Sequence, residues 1–132
     1  MAGKISTVTE GRLSIAGLCL AVAMIHVTDQ GGFRNLDDPT WLGWAYRLLE
    51  VGSVAIALVV LGGLLPGRLI ALGVLLIGAG PALGFILTRT TGLPHDSGDV
   101  GNWSEPLGIM SLIVEGTLVL VGVTMAMRAA SD

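Results

Sequence analysis

Ionisable side chains interrupt stretches of this sequence that are otherwise long apolar runs. Arg47, Glu50 and Glu115 lie inside such runs, and His26 and Arg89 stand near the ends of two others. Charged groups within a bilayer cost roughly 2.5 to 3.5 kcal/mol each on insertion scales and usually face the interior of a helix bundle. There they could bind a small ligand or a cation. They could instead form buried ion pairs, Arg47 with Glu50 and Arg89 with Glu115, that only fix how the helices pack. The sequence leaves both roles open.

The segment 89–105 holds a second group of polar residues. Its histidine and aspartates could bind a metal, but their spacing matches neither an EF-hand loop nor a zinc-binding histidine pair. The sequence therefore identifies no metal ion, and a haem is not expected because only one histidine lies near a span. The candidate metal ligands are His26, His95, Asp96 and Asp99. The candidate ligand-binding residues are His26, Arg47, Glu50, Arg89, His95, Asp96, Asp99, Trp103 and Glu115.

No residue is assigned a catalytic role. The sequence has no GxSxG motif, and its one cysteine, Cys19, has no histidine at a similar predicted depth to activate it. A single cysteine can form no internal disulfide, and Cys19 is expected to be a small packing residue inside a helix.

Composition indicates that the bilayer is the solvent of this chain. Its 132 residues are 52% hydrophobic and 13% charged, with a mean hydropathy of +0.80. That is far more apolar surface than a soluble domain of this size could bury. A net charge of -3 argues against a nucleic-acid partner, which requires a basic face.

Hydropathy predicts an all-α fold, an integral membrane four-helix bundle that forms one domain over residues 1–132. The spans are predicted at about 13–28, 41–65, 69–88 and 106–127, and the outer loops at 29–40 and 89–105. The first span could be read as a signal peptide, but no A-x-A cleavage pattern follows it, so we expect it to be retained. Asn102 or Ser104 is predicted to cap the fourth helix. Four glycines of the third span predict close contact with another helix or subunit, Gly73, Gly78, Gly80 and Gly84.

The basic residues predict that both termini are cytoplasmic. With that orientation the inner segments hold four basic and two acidic residues, whereas the outer loops hold two basic and six acidic residues. Short cytoplasmic loops are enriched in Lys and Arg, so this arrangement is favoured over its reverse. The inner residues are Lys4, Arg12, Arg68 and Arg128 with Glu10 and Asp132, and the outer ones are Arg34 and Arg89 with Asp29, Asp37, Asp38, Asp96, Asp99 and Glu105.

The ionisable residues are predicted to share one end of the bundle. Glu50 and Glu115 each lie nine residues from the outer end of their span, about 13 Å along a helix. His26 and Arg89 stand at the outer ends of the first and third spans. The inner half has no such residue, which argues against a channel through one monomer. We therefore expect an outward-facing polar pocket, covered by segment 89–105 and closed below by apolar packing.

The segment Arg89-Thr-Thr-Gly-Leu-Pro94, with Asp99-x-Gly-Asn-Trp-x-Glu-Pro-Leu-Gly108 and Glu115, resembles a motif of small multi-pass membrane proteins of high-GC bacteria. The resemblance covers about the last third of the chain. It implies a bacterial inner membrane location and an important outer loop, and it implies no reaction. Those proteins tend to have a histidine-rich start to the first outer loop, whereas this chain has only His26 there, so a shared metal site does not follow.

The leading hypothesis is a small polytopic membrane protein, not itself catalytic, whose outward pocket binds a small ligand or cation. One alternative is a structural accessory subunit of a larger membrane complex. A second is a metal-dependent membrane enzyme or redox protein. The expected partners are the lipid bilayer and either further copies of the chain or a larger complex.

Overall fold

The computed structural model describes residues 2–32 and 40–131, with side chains from residue 8 onward. The described residues form four helices: α1 (Ala2–Asp29), α2 (Trp41–Gly62), α3 (Gly67–Thr90) and α4 (Pro106–Ser131). The prediction of an all-α four-helix bundle is confirmed. The predicted loop residues Arg34, Asp37 and Asp38, the terminal Asp132 and the side chain of Lys4 lie outside the described residues.

All four helices are long and apolar enough to cross a membrane. The candidate spans are Val8–Asp29, Trp41–Gly62, Gly67–Thr90 and Pro106–Ser131. Large apolar side chains on every helix point away from the bundle, among them Leu48, Leu76 and Leu120, each more than half exposed. Such an apolar exterior suits lipid rather than water, so the chain is a membrane protein.

Local signals in the sequence account for several helix ends. Thr40 caps α2, since its hydroxyl accepts a hydrogen bond from the backbone N–H of Gly43 at 3.2 Å. Gly63 ends α2 in the left-handed conformation, with φ of 61°. Helix α4 begins at Pro106, which fits the first helical position, so Glu105 occupies the cap position and its carbonyl accepts from the N–H of Ile109.

The prediction that Asn102 or Ser104 caps α4 is therefore wrong. Asn102 instead donates a side-chain hydrogen bond to Asp99 within the preceding loop. The fixed φ of Pro106 suits the first helical position and leaves the residue directly before it as the cap.

Two arginines bind helix ends at the opposite end of the bundle from segment 89–105. Arg68 donates from Nε and Nη2 to the carbonyl oxygen of Ala129 at 3.0 and 2.8 Å. The guanidinium of Arg12 lies beside Gly63, where α2 ends. Cations are stabilised at the negative C-terminal ends of helices, so these residues support the packing of α1 on α2 and of α3 on α4.

Glycines allow α3 and α4 to pack closely. A Cβ atom on Gly78 would lie 2.7 Å from the backbone carbonyl oxygen of Glu115, and one on Gly122 would lie 2.7 Å from the Leu75 side chain. Helices α3 and α4 make the most extensive contact, followed by α1 with α2, whereas α2 and α3 touch less. The bundle thus consists of two helical hairpins.

The glycines of α3 divide between two uses. Gly78 faces α4 and Gly73 faces the Ile56 side chain of α2, so both serve contacts within the monomer. Added Cβ atoms on Gly80 and Gly84 would meet nothing within 4 Å. Two of the four glycines that were predicted to form a contact surface therefore serve contacts inside the monomer, and the other two do not. The rest of the core is apolar, formed by Ala16, Cys19, Val22, Ala57, Val60, Ile70, Val74, Ile77 and Leu118.

Candidate ligand-binding cavity

We call the end of the bundle that carries segment 89–105 the loop end. Glu115 of α4 is completely buried below it, with 0% of the side chain exposed. The Ser111 hydroxyl, one turn away on α4, donates to Oε1 of Glu115, and Nε2 of His26 on α1 lies 3.6 Å from the same oxygen. Among the described residues the other oxygen, Oε2, has no hydrogen-bond partner. A buried carboxylate with an unsatisfied oxygen is costly, and such groups cluster at functional sites.

Arg89 forms the cationic centre of the loop end. Its guanidinium pairs with Glu105, and Nη1 lies 3.1 Å from Oδ2 of Asp99. It also lies over the Phe85 ring, 4.5 Å from the centroid. The sequence-based pairing of Arg89 with Glu115 is wrong, because the long Arg89 side chain reaches the carboxylates of the following loop instead of a deeper helical residue.

Asp29 joins α1 to both α2 and segment 89–105. Its Oδ2 accepts a hydrogen bond from the Tyr46 hydroxyl at 2.7 Å, and its side chain also contacts Glu105. Burial, together with the like charge and hydrogen bond of Asp29, raises the pKa of Glu105, while Arg89 opposes the shift. The negative charge of the carboxylates at this end is therefore only partly compensated by the single guanidinium of Arg89.

Segment 89–105 folds back over the bundle through backbone contacts. Leu93 and Asp96 exchange two backbone hydrogen bonds, with Pro94 and His95 at the tip. His95 has φ of 66°, which suits the third position of a type II turn after proline. The indole N–H of Trp41 donates to the Pro94 carbonyl at 3.1 Å, and the N–H of Gly101 donates to the Arg89 carbonyl. The loop is thus tied to both α2 and α3.

A cavity of about 90 Å³ lies beneath this loop. Its lining is mainly polar and comes from all four helices and from segment 89–105. The lining residues are Ile25, His26, Asp29, Leu42, Tyr46, Pro81, Phe85, Thr88, Arg89, Asp96, Asp99, Glu105, Leu107 and Ser111.

The structure brings some of the sequence candidates together and separates others. His26, Arg89, Asp96 and Asp99 line the cavity, and Glu115 lies directly behind His26. The other four do not line it. Glu50 accepts from Gln30, Arg47 lies over the Trp44 ring, Trp103 contacts Phe85 edge-on and is 48% exposed, and His95 is exposed at its turn.

Five polar residues of the cavity lining were not among the candidates, although the sequence carried a signal for three of them. They are Asp29, Tyr46, Thr88, Glu105 and Ser111. Ser111 is four residues before Glu115, and Asp29 is three after His26, which places each on the helix face of its neighbour. Glu105 directly precedes the predicted fourth span, where the helix dipole favours a carboxylate. Tyr46 follows Trp41 and Trp44 at the start of the second span, a pattern typical of an interfacial aromatic belt, and nothing local indicates that it faces inward.

The candidate metal ligands are dispersed. Within residues 2–32 and 40–131 no three His, Cys, Asp or Glu side chains group closely enough to hold a metal ion. His95 in particular lies at the exposed turn, away from His26.

Comparisons of the chain with protein-family models, with curated proteins and with solved structures found no match.

Proposed function

We propose that this membrane protein binds a small organic cation in the loop-end cavity and is not itself catalytic. The observation that carries the proposal is the charge of the lining: four carboxylates surround the cavity with one guanidinium. The carboxylates belong to Asp29, Asp96, Asp99 and Glu105, and the guanidinium to Arg89.

The positive charge of Arg89 is already engaged. It is shared between Glu105 and Asp99. Among the described residues Asp96 forms no salt bridge, and it is one of the acidic residues that line the cavity. Because electrostatic attraction is stronger in a partly buried site than in water, a positively charged ligand is favoured there over an anion.

Aromatic rings support an ammonium group in particular. Tyr46 and Phe85 line the cavity beside the carboxylates. Ammonium cations are attracted to the faces of such rings as well as to carboxylates. A volume of about 90 Å³ suits a head group of a few non-hydrogen atoms.

Thermal unfolding of the full chain in a mild maltoside detergent tests the proposal. Butylammonium chloride should raise the melting temperature in a concentration-dependent way, because a ligand that binds only the folded state stabilises it. Sodium butyrate, which has a similar alkyl chain and the opposite charge, should not. Asp96→Asn should weaken the butylammonium effect, whereas Glu10→Gln, on the far end of α1, should preserve it. Equal effects of both salts, or an unchanged response of Asp96→Asn, would overturn the proposal.

The location and the partners are further parts of the proposal. We place the protein in a bacterial cytoplasmic membrane with the loop end outside, on the strength of the positive-inside balance and of the resemblance of the last third of the chain to small bacterial membrane proteins. Self-association or membership of a larger complex is proposed from the glycine content of the third span alone. A purely structural accessory subunit, the competing function, would not respond to butylammonium, whether or not partner chains co-purified with it.

A further inference from the structure

A second and larger cavity opens between α2 and α3. Its volume is about 570 Å³, within the range of about 300 to 1,000 Å³ that is usual for ligand sites. We call it the α2–α3 groove. Helices α2 and α3 contact each other less than α1 and α4 do, and Leu48 and Leu76 on the groove walls are 77% and 63% exposed on the lipid-facing surface. The groove is lined by His26, Trp41, Leu42, Ala45, Tyr46, Leu48, Leu49, Gly52, Leu76, Ile77, Gly80, Pro81, Gly84 and Leu93.

The groove and the loop-end cavity adjoin each other. Four residues line both of them: His26, Leu42, Tyr46 and Pro81. On one side of these residues the walls are charged, and on the other side they are almost wholly apolar. The two spaces together therefore have the polarity profile of a molecule with a polar head and an apolar tail.

Glycines keep the groove open. Gly80 and Gly84 line it, and an added Cβ atom at either position would meet nothing within 4 Å. At Gly73 and Gly78 of the same helix, added Cβ atoms would come within 3 Å of a neighbouring atom. The glycines that face the groove thus leave space that no side chain of the monomer fills.

We propose that the ligand is a single-chain amphiphile from the bilayer, with an ammonium head in the loop-end cavity and an alkyl chain in the α2–α3 groove. The inference rests on the proposed function, because the carboxylates around Arg89 select the charge of the head. The apolar walls select the tail, and the exposed rims of the groove give access from the lipid side.

The test compares two ammonium probes on the full chain in phosphatidylcholine nanodiscs. Dodecylammonium should bind the wild type with a dissociation constant at least about tenfold lower than that of butylammonium, because the longer chain buries additional methylene groups. Gly84→Leu, which fills the groove, should lose most of this difference and still bind butylammonium. Gly116→Leu is the matched control, since an added Cβ atom there also meets nothing within 4 Å and Gly116 does not line the groove.

Dodecylammonium also partitions into the lipid of the nanodisc. This partition is the same for all three proteins, so it does not affect the comparison between the variants. An equal long-chain advantage in Gly84→Leu and Gly116→Leu would overturn the amphiphile inference while butylammonium binding upheld the proposed function. Failure of the wild type to bind either probe would overturn both.

Discussion

His26 Nε2 lies 3.6 Å from Glu115 Oε1 and so brings the first helix of the bundle against the last. The other ring nitrogen, Nδ1, lies 3.0 Å from the carbonyl oxygen of Val22, which can only accept a hydrogen bond, so Nδ1 carries a proton. Nε2 is then the ring atom turned toward the carboxylate. The separation exceeds a normal hydrogen bond, and the contact is an ion pair only when Nε2 is protonated as well.

Replacement of Glu115 separates the effect of its charge from that of its volume. Glu115→Gln should change the free energy of unfolding by less than about 1 kcal/mol, because the amide keeps the volume of the side chain and can still accept the Ser111 hydrogen bond. Glu115→Ala should destabilise by about 2 to 5 kcal/mol, because it leaves an unfilled space in the core. Chemical unfolding in mild detergent measures both. If Glu115→Gln were as damaging as Glu115→Ala, the carboxylate would be a structural ion-pair partner.

The close contact of α3 with α4 predicts opposite responses of two neighbouring glycines. Gly78→Ala places a methyl group against the backbone of Glu115 and should destabilise by about 1 to 3 kcal/mol, because backbone cannot move aside as a side chain can. Gly80→Ala, on the same helix but in open space, should be neutral or stabilise by up to about 1 kcal/mol through helix propensity. Equal melting temperatures of the two variants would contradict the close contact of Gly78 with α4.

The raised pKa of Glu105 predicts a pH dependence of stability. Between its ordinary value near 4.5 and the raised value, the folded chain binds more protons than the unfolded chain. The free energy of unfolding should therefore fall as pH rises through that window. Glu105→Gln should flatten this part of the profile, and Glu10→Gln should leave it unchanged. Butylammonium affinity should change in the other direction, increasing with pH, because the cation binds the deprotonated cavity. A melting temperature that rises over the same window would contradict the first expectation.

Cysteine labelling tests the proposed orientation. The native Cys19 is fully buried, so it should stay silent to a membrane-impermeant maleimide. Ser97→Cys, in the exposed part of segment 89–105, should react in intact bacterial cells, and Ser131→Cys should react only after the membrane is opened. The reverse pattern would place the loop end inside the cell.

Hydropathy was sufficient to predict the helices because it is a property of each segment alone. The chain has four apolar runs with polar breaks, and four helices result. Helix limits were less predictable. Helix α1 extends back to Ala2, well before the predicted limit at residue 13, since its first turns are polar and hydropathy does not detect a helix that continues outside lipid.

The partners of the charged residues were less predictable because they depend on how the loop folds. Depth along the helices predicted that Glu50 and Glu115 would share one pocket, yet Glu50 accepts from Gln30 on the α1 side while Glu115 faces His26. Two residues at equal depth in the bundle can lie on helix faces that point in different directions. Arg89 pairs with residues of segment 89–105, a contact that requires the fold of that segment to be known.

The joining of α1 to α4 through His26 and Glu115 also has a consequence for biogenesis. During synthesis the first hairpin is made before α4. His26 on α1 therefore cannot contact Glu115 until the last span has been inserted. The loop-end cavity therefore exists only in a chain whose final helix is in place.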